Sequence, residues 1–320
     1  MEFEEFIGEW RNAVPHILAK TSGSTGNPKI IQLPKDFVRR SAERTNGYFG
    51  ICKESRLHSC VAADYIGGKM MAVRADIANC RLTWESPSNR PLSNLDKEEK
   101  IDLLAVVPSQ MIHILDNLTE MPHIKAVIIG GSAINPLLYE RIIASGINAY
   151  ETYGMTETSS HIALRKVAAD SEWFETLGGI TVATDERGCL LIKFDSGESF
   201  QTNDLAELNG IHHFKINGRY DHMIITGGKK VNPFEIEKKL APYIPAPFMV
   251  TSRPDLKWGR AVVLKIEAGE EEHNDEYGWG GQANLELQSR IRSVLEPHEV
   301  PKFVEYVMSL PRTENGKIKR

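Results

Sequence analysis

The sequence predicts an α/β protein, with a large domain built on a mostly parallel sheet followed by a small α+β domain. Residues 101–153 alternate short apolar runs with helical stretches in the order β-α-β-α-β, which requires parallel strands joined by right-handed crossovers. From about residue 180 the pattern changes to period-2 strands and turns. A length of 320 residues leaves room for about two domains of ~150 residues each.

Residues 1–14 carry Phe3, Phe6, Ile7 and Trp10 at helical spacing. A strand at 16–20 leads into a loop, and Ile30-Ile31-Gln32-Leu33 after it reads as a returning strand, so the loop is expected to join a hairpin. Residues 35–50 read as a helix ended by Gly47 and Gly50. Residues 57–65 are apolar, and a helix is expected from Met70 to Asn79. The run 103–107 ends in Pro108-Ser109, and a helix with Met111, Ile112, Leu115 and Leu118 on one face follows. The run 126–129 ends in Gly130-Gly131-Ser132, and a helix from Pro136 to Ser145 closes at Gly146, where a capping glycine belongs. The run 147–151 ends in Thr152-Tyr153-Gly154. Ligands of such sheets bind beyond the carboxyl ends of the strands, which marks Pro108-Ser109-Gln110, Gly130-Gly131-Ser132 and the segment 153–157. In the small domain, Asn232 and Pro233 are the N-cap and first residue of a helix to Leu240. Strands at 248–252, 261–266 and 303–308 and an amphipathic helix at 282–295 complete it, and 270–281 reads as a solvated acidic loop.

Net charge is −5, with 41% hydrophobic and 25% charged residues. Nucleic acid and an anionic membrane surface have no global electrostatic support. The acidic N-terminus lacks the pattern of a signal peptide, and no apolar run approaches the ~18 residues that span a bilayer. A cytoplasmic protein without membrane or nucleic-acid partners is expected. Cys52, Cys60, Cys80 and Cys189 show no metal spacing and read as free thiols.

The loop from Thr21 to Lys29 gathers Thr21, Ser22, Gly23, Ser24, Thr25, Gly26 and Lys29. Hydroxyls and bare backbone N–H groups suit phosphate oxygens, yet a Ser/Gly turn explains the same residues, and the spacing is not that of a P-loop. Thr156 and Glu157 follow the third parallel strand; the carboxylate could hold Mg²⁺ or merely favour a helix start. Asp204 is a candidate for ribose hydroxyls and Arg219 for ribose or phosphate; either could also be a surface charge. Gly227 and Gly228 fit a hairpin turn or a surface admitting a narrow chain. His161 could face a substrate pocket or be structural. Lys317 sits in a basic tail of a kind that is usually inert.

Taken together and in order, Thr21-Ser22-Gly23-Ser24-Thr25-Gly26-x-Pro28-Lys29, Tyr153-Gly154-Met155-Thr156-Glu157, Thr202-x-Asp204, Gly218-Arg219-Tyr220-Asp221 and Pro311-Arg312-Thr313-x-x-Gly316-Lys317 resemble the adenylate-forming superfamily of acyl-CoA ligases, luciferases and peptide-synthetase adenylation domains. The resemblance implies a nucleotide- and acid-binding domain over 1–219 and a mobile C-terminal domain over 220–320, hinged at Asp221. It also implies an ATP-dependent acid–CoA ligase, AMP- and pyrophosphate-forming, that works through an acyl-adenylate with ATP, Mg²⁺ and coenzyme A. By the same resemblance Thr21 to Lys29 hold the β- and γ-phosphates, Thr156 and Glu157 the α-phosphate and Mg²⁺, and Gly130, Gly131 and Ser132 flank the adenine. Tyr153 and Gly154 belong to that nucleotide site, Asp204 and Arg219 hold the ribose, Gly227 and Gly228 line the coenzyme A path, and Lys317 stabilises the adenylation transition state.

The chain departs from the family in two places. Only about 20 residues precede the phosphate loop, where the family carries a subdomain of well over a hundred, so the large domain reads as shortened at its N-terminus. The packing that subdomain supplies would be missing, replaced or compensated by oligomerisation, for instance as a homodimer. Ala63-Asp64-Tyr65-Ile66-Gly67-Gly68 stands where many acyl-CoA ligases have Pro-x-x-His. The shortness, Val107-Pro108-Ser109-Gln110 and the ending just after Lys317 resemble the 2-succinylbenzoate–CoA ligases of menaquinone synthesis. Their dicarboxylate substrate would need a cation in the acid pocket, for which Lys69, Arg74 and Arg165 are candidates alongside His161. The alternatives are another aryl- or acyl-CoA ligase, a stand-alone adenylating enzyme, or an inactive adenylate-binding subunit.

Overall fold

A computed structural model describes residues 2–21, 29–268, 282–312 and 318. The chain forms two compact units, one of residues 1–183, 192–200 and 208–215, the other of residues 184–191, 201–207 and 216–320. Among the described residues, no helix is long and apolar enough to cross a membrane.

The first unit begins with α1 (Phe3–Arg11), the hairpin β1 (His16–Lys20) and β2 (Ile30–Pro34), and α2 (Lys35–Phe49). Next come β3 (Arg56–Ser59), α3 (Ile66–Ala78), β4 (Arg81–Trp84), β5 (Lys100–Ile101), β6 (Leu103–Val106), α4 (Pro108–Asp116), β7 (His123–Ile124), β8 (Val127–Ile129), α5 (Pro136–Ser145), β9 (Ala149–Met155), β10 (Ser160–Lys166) and β11 (Phe174–Thr176). Strands β4, β3, β6, β8 and β9 lie side by side and parallel. After β9 the direction reverses, with β10 and β11 antiparallel. The expected β-α-β-α-β order is therefore present as a parallel sheet. Asn135 caps α5 through a 2.8 Å bond from the Leu138 N–H, and Gly146 ends it in the left-handed conformation.

One core lies between this sheet and helices α4 and α5, around Leu104, Val106, Met111, Ile114, Val127 and Ile142. A second joins α1 to the hairpin and α3 through Phe3, Phe6, Trp10, Ile17, Met70 and Val73. Burying such side chains contributes about 1.5–3 kcal/mol each. Trp10 also donates its indole N–H to Asp76 of α3 at 2.9 Å.

Helix α2 keeps the bounds expected from the sequence, and the start of α3 is corrected. Helix α2 runs through Gly47 and stops only at Gly50, which takes φ +65°. A helical glycine costs ~1 kcal/mol relative to alanine, and the same turn buries Thr45 and Asn46. Helix α3 starts at Ile66 rather than Met70. A Cβ at Gly68 would stand 2.2 Å from the Ala62 carbonyl oxygen, so this glycine admits close backbone packing instead of breaking the helix.

Strands β12 (Ile180–Thr184), β13 (Cys189–Phe194), β14 (Ser199–Asn209) and β15 (His213–Arg219) divide their residues between the units. The second unit continues with the hairpin β16 (Ile224–Thr226) and β17 (Lys229–Val231), α6 (Pro233–Leu240), β18 (Phe248–Asp255), β19 (Gly259–Glu267), α7 (Gln282–Val294) and β20 (Phe303–Val307). Strand β19 lies between antiparallel β18 and parallel β20, and Ile236, Leu240, Val262, Leu264 and Ile291 fill its core.

Candidate active site

The segment after β9 is held by several local constraints. Thr156–Thr158 forms a single 3₁₀ turn. The Thr158 hydroxyl accepts from the Met155 N–H at 3.0 Å and donates to the Ser160 carbonyl at 2.8 Å. Ser159 and Ser160 both hold positive φ, +54° and +80°, a conformation that non-glycine residues adopt only under surrounding constraint. Part of that constraint is a 2.7 Å bond from the Ser41 hydroxyl of α2 to the Ser159 carbonyl. The turn presents Glu157 half-buried, and among the described residues its carboxylate has no hydrogen-bond or ion-pair partner. Thr156 beside it is buried.

Gly154 pairs with His161 across the β9–β10 hairpin. A Cβ there would stand 2.2 Å from the Ser160 carbonyl oxygen and 2.4 Å from the His161 Cα. Both are backbone atoms, so Gly154→Ala is expected to destabilise the unit by about 2–3 kcal/mol, read as a lowered urea midpoint with unchanged slope. Tyr153 packs edge-on to Phe214 with centroids 5.1 Å apart. Gly130, Gly131 and Ser132 follow β8, and a Cβ on Gly130 would meet the Thr152 hydroxyl at 2.8 Å.

The four candidate acid-pocket residues differ in their surroundings. Lys69 is buried, but its ammonium lies 3.7 Å from Glu9 and 4.1 Å over the Phe6 ring. Arg165 is held by the buried Glu151 carboxylate and stacks 4.8 Å over Phe174. The His161 Nε2 contacts the Thr45 hydroxyl at 3.0 Å, and because that hydroxyl donates to the Ser41 carbonyl, the ring nitrogen is the donor. Burial, and then the charge of Arg74, push the His161 pKa well down, so the ring stays neutral. Arg74 itself is 1% exposed. Its Nη1 reaches only the Met71 sulfur at 3.6 Å, and its Nε and Nη2 have no partner among the described residues. Burial without a compensating anion lowers its pKa to about 9. Arg74 is thus a buried cation without an anionic partner among the described residues, next to the ring of His161, whose strand neighbour is Gly154.

Thr21 and Lys29 close the base of the first loop: the Thr21 N–H donates to the Lys29 carbonyl at 2.8 Å, and the Lys29 N–H to the Thr21 hydroxyl at 3.1 Å. Ser22, Gly23, Ser24, Thr25 and Gly26 lie outside the described residues, as do Lys317 and the acidic stretch 270–281. In the second unit Arg219 donates to both Asp221 oxygens at 2.9 and 2.7 Å and stands 3.4 Å from Asp204. That pairing holds the Asp221 carboxyl below its usual pKa. Gly227 and Gly228 are the central residues of the β16–β17 hairpin, both at positive φ, as a two-residue turn of this kind requires. A Cβ on Gly227 would meet the Trp258 ring at 2.8 Å.

The sequence reading missed the part played by α2. Ser41 and Thr45 recur at i, i+4 on its buried face, and a pair of hydroxyls on an otherwise apolar stripe is the signal that was available.

Residues 15–187 match the family described as AMP-binding enzyme. A 2-succinylbenzoate–CoA ligase of Staphylococcus epidermidis is 25% identical over 94% of this chain and 67% of its own length. The solved structure of an acyl-CoA synthetase (AMP-forming)/AMP-acid ligase II-like protein from Dyadobacter fermentans is 32% identical, covers 99% of this chain and 91% of that one, and superposes with a TM-score of 0.64. The o-succinylbenzoate CoA synthetase of Bacillus subtilis, solved with ATP and magnesium ion, is 18% identical over 95% of this chain and 68% of that one, with a TM-score of 0.78. At that identity the likeness speaks for the fold alone.

Proposed function

Because the chain belongs to the AMP-binding enzyme family, we propose that it is an ATP-dependent acid–CoA ligase whose acid carries a second carboxylate, 2-succinylbenzoate fitting best. The observation that carries the choice of acid is Arg74, buried and without an anionic partner among the described residues. An unpaired buried cation costs several kcal/mol, and a substrate carboxylate would offset that cost and make two charge-assisted hydrogen bonds. Lys69 and Arg165 already face Glu9 and Glu151. The relative named 2-succinylbenzoate–CoA ligase supports the same choice.

In the proposed reaction a carboxylate oxygen of the acid attacks the α-phosphorus of ATP and pyrophosphate leaves, giving an acyl-adenylate. The coenzyme A thiol then attacks the acyl carbonyl and AMP leaves. Thr21, Ser22, Gly23, Ser24, Thr25, Gly26 and Lys29 would hold the β- and γ-phosphates, Gly130, Gly131 and Ser132 the adenine, with Tyr153 and Gly154 beside it, and Asp204 and Arg219 the ribose. Thr156 would contact the α-phosphate. Glu157 suits Mg²⁺, since its half-buried carboxylate has no other partner among the described residues. The ion, when bound, supplies positive charge to the phosphate oxygens. Asp221 would be the hinge, Gly227 and Gly228 would border the pantetheine, and Lys317 would stabilise the charge that develops during adenylation.

Glu157→Gln is expected to lower the adenylation rate about 10²-fold at fixed magnesium, with part of the loss recovered as magnesium is raised. Unchanged magnesium dependence would remove Glu157 from the metal. The reading as a whole is tested by pyrophosphate release with a panel of acids, with and without coenzyme A. If none of the acids supports release, the ligase reading fails, and release with 2-succinylbenzoate no faster than with benzoate defeats the dicarboxylate assignment.

A further inference from the structure

Strands β3 and β4 are parallel neighbours with His58 opposite Thr83 and Ser59 opposite Trp84. Side chains two residues apart on a strand share a face, so His58 and Cys60, the residue just past β3, share a face with Thr83 and with Glu85, the residue just past β4. A ring nitrogen of His58, the Cys60 sulfur and a Glu85 carboxylate oxygen all lie within 4.8 Å of one another. His58 and Cys60 are each 1% exposed.

The neighbours set each donor. The Thr83 hydroxyl stands 2.8 Å from His58 Nδ1 and donates to the Leu57 carbonyl at 3.4 Å. It therefore accepts the Nδ1 proton, which leaves Nε2 as the nitrogen with the lone pair. That Nε2 is buried and has no hydrogen-bond partner among the described residues, an arrangement that costs about 1–3 kcal/mol. A hydroxyl holding the far nitrogen of a histidine is the outer-shell arrangement of metal-bound imidazoles. Leu92, held at φ +65°, aims its N–H at both Glu85 oxygens, 3.0 and 3.2 Å away, and so fixes the carboxylate. Gln110 donates to the Cys60 carbonyl at 3.0 Å and holds the strand end in place. A thiol–carboxylate hydrogen bond accounts for Cys60 and Glu85, but it leaves the lone pair of His58 unexplained.

We propose that His58, Cys60 and Glu85 form a binding site for one zinc-type divalent cation, with the fourth coordination position open to water. Nitrogen, thiolate and carboxylate are the donors zinc takes, and its bond lengths of about 2.0–2.3 Å place tetrahedral donors roughly 3.3–3.7 Å apart. The ring nitrogen, sulfur and carboxylate oxygen that lie within 4.8 Å of one another reach that spacing if each moves by less than about 1 Å. The thiolate and the carboxylate together balance a dication, so the buried site is neutral when filled. None of these three residues is among those given a role in the proposed magnesium chemistry. The site would tie the edge strand β4 to β3, stabilising the sheet rather than acting on substrate.

The test is Co²⁺ titration of the chelator-treated full chain, followed by displacement with Zn²⁺. One equivalent of Co²⁺ is expected to produce a thiolate-to-cobalt charge-transfer band that Zn²⁺ abolishes, and saturating Zn²⁺ is expected to raise the melting temperature by about 5 °C. Cys60→Ser should lose the band, and Glu85→Gln should bind at least about tenfold more weakly while keeping the wild-type circular dichroism. Cys80→Ser should behave as wild type. Absence of the band, its survival in Cys60→Ser, or unchanged affinity in Glu85→Gln overturns the site. If Cys60→Ser fails to fold, the Glu85→Gln comparison decides alone.

Discussion

Replacing Arg74 with methionine is expected to leave the protein as stable as wild type or more so, while its activity on a dicarboxylate collapses. A pKa lowered from 12.5 to about 9 corresponds to a burial cost on the order of 5 kcal/mol at about 1.4 kcal/mol per unit. For a basic group whose folded pKa is depressed, that cost is fully present below the folded pKa and fades as pH rises towards the unfolded value. At neutral pH the whole cost therefore falls on the native state. Methionine keeps a long apolar side chain and removes the charge, so the melting temperature should rise by about 2–6 °C. A substrate carboxylate would lose its buried partner, and kcat/KM should fall roughly 10²–10³-fold. Activity on a monocarboxylate such as benzoate should change little. Thermal melts and kinetics with the two acids check this directly. A destabilised variant that loses both acids equally would make Arg74 a structural residue and withdraw the choice of acid.

Lys317→Ala carries the second large effect. If its ammonium acts only while the acyl-adenylate forms, pyrophosphate release should fall about 10³-fold. Thioester formation from preformed acyl-adenylate should stay within a few-fold of wild type, because that step does not use the lysine. Single-turnover measurements of each half-reaction separate the two. Equal loss in both would defeat the account in which the C-terminal segment serves one step and then withdraws.

Much of the scaffold was legible because its signals are local. The short apolar runs ending near Val106, Ile129 and Glu151 form the parallel strands. Asn135-Pro136 and Asn232-Pro233 open helices where their capping chemistry requires. Glycine was less reliable: Gly47 reads as a helix end in the sequence, yet α2 runs through it to Gly50, and Gly68 lies inside α3, where it admits close backbone packing.

Of the candidate site, the sequence by itself determined the order of the motifs and the position of Glu157 just past a parallel strand, because strand length and topology are written in periodicity. The tertiary structure decided which charges already have partners. Lys69, Arg74 and Arg165 are indistinguishable as letters, yet Glu9 faces the first, Glu151 faces the third, and the described residues supply no anion to Arg74. It also decided that His58 and Glu85, 27 positions apart, share one sheet face with Cys60. Such pairings depend on inter-strand register and burial, which arise only when distant segments pack, and the local hydrophobic pattern does not encode them.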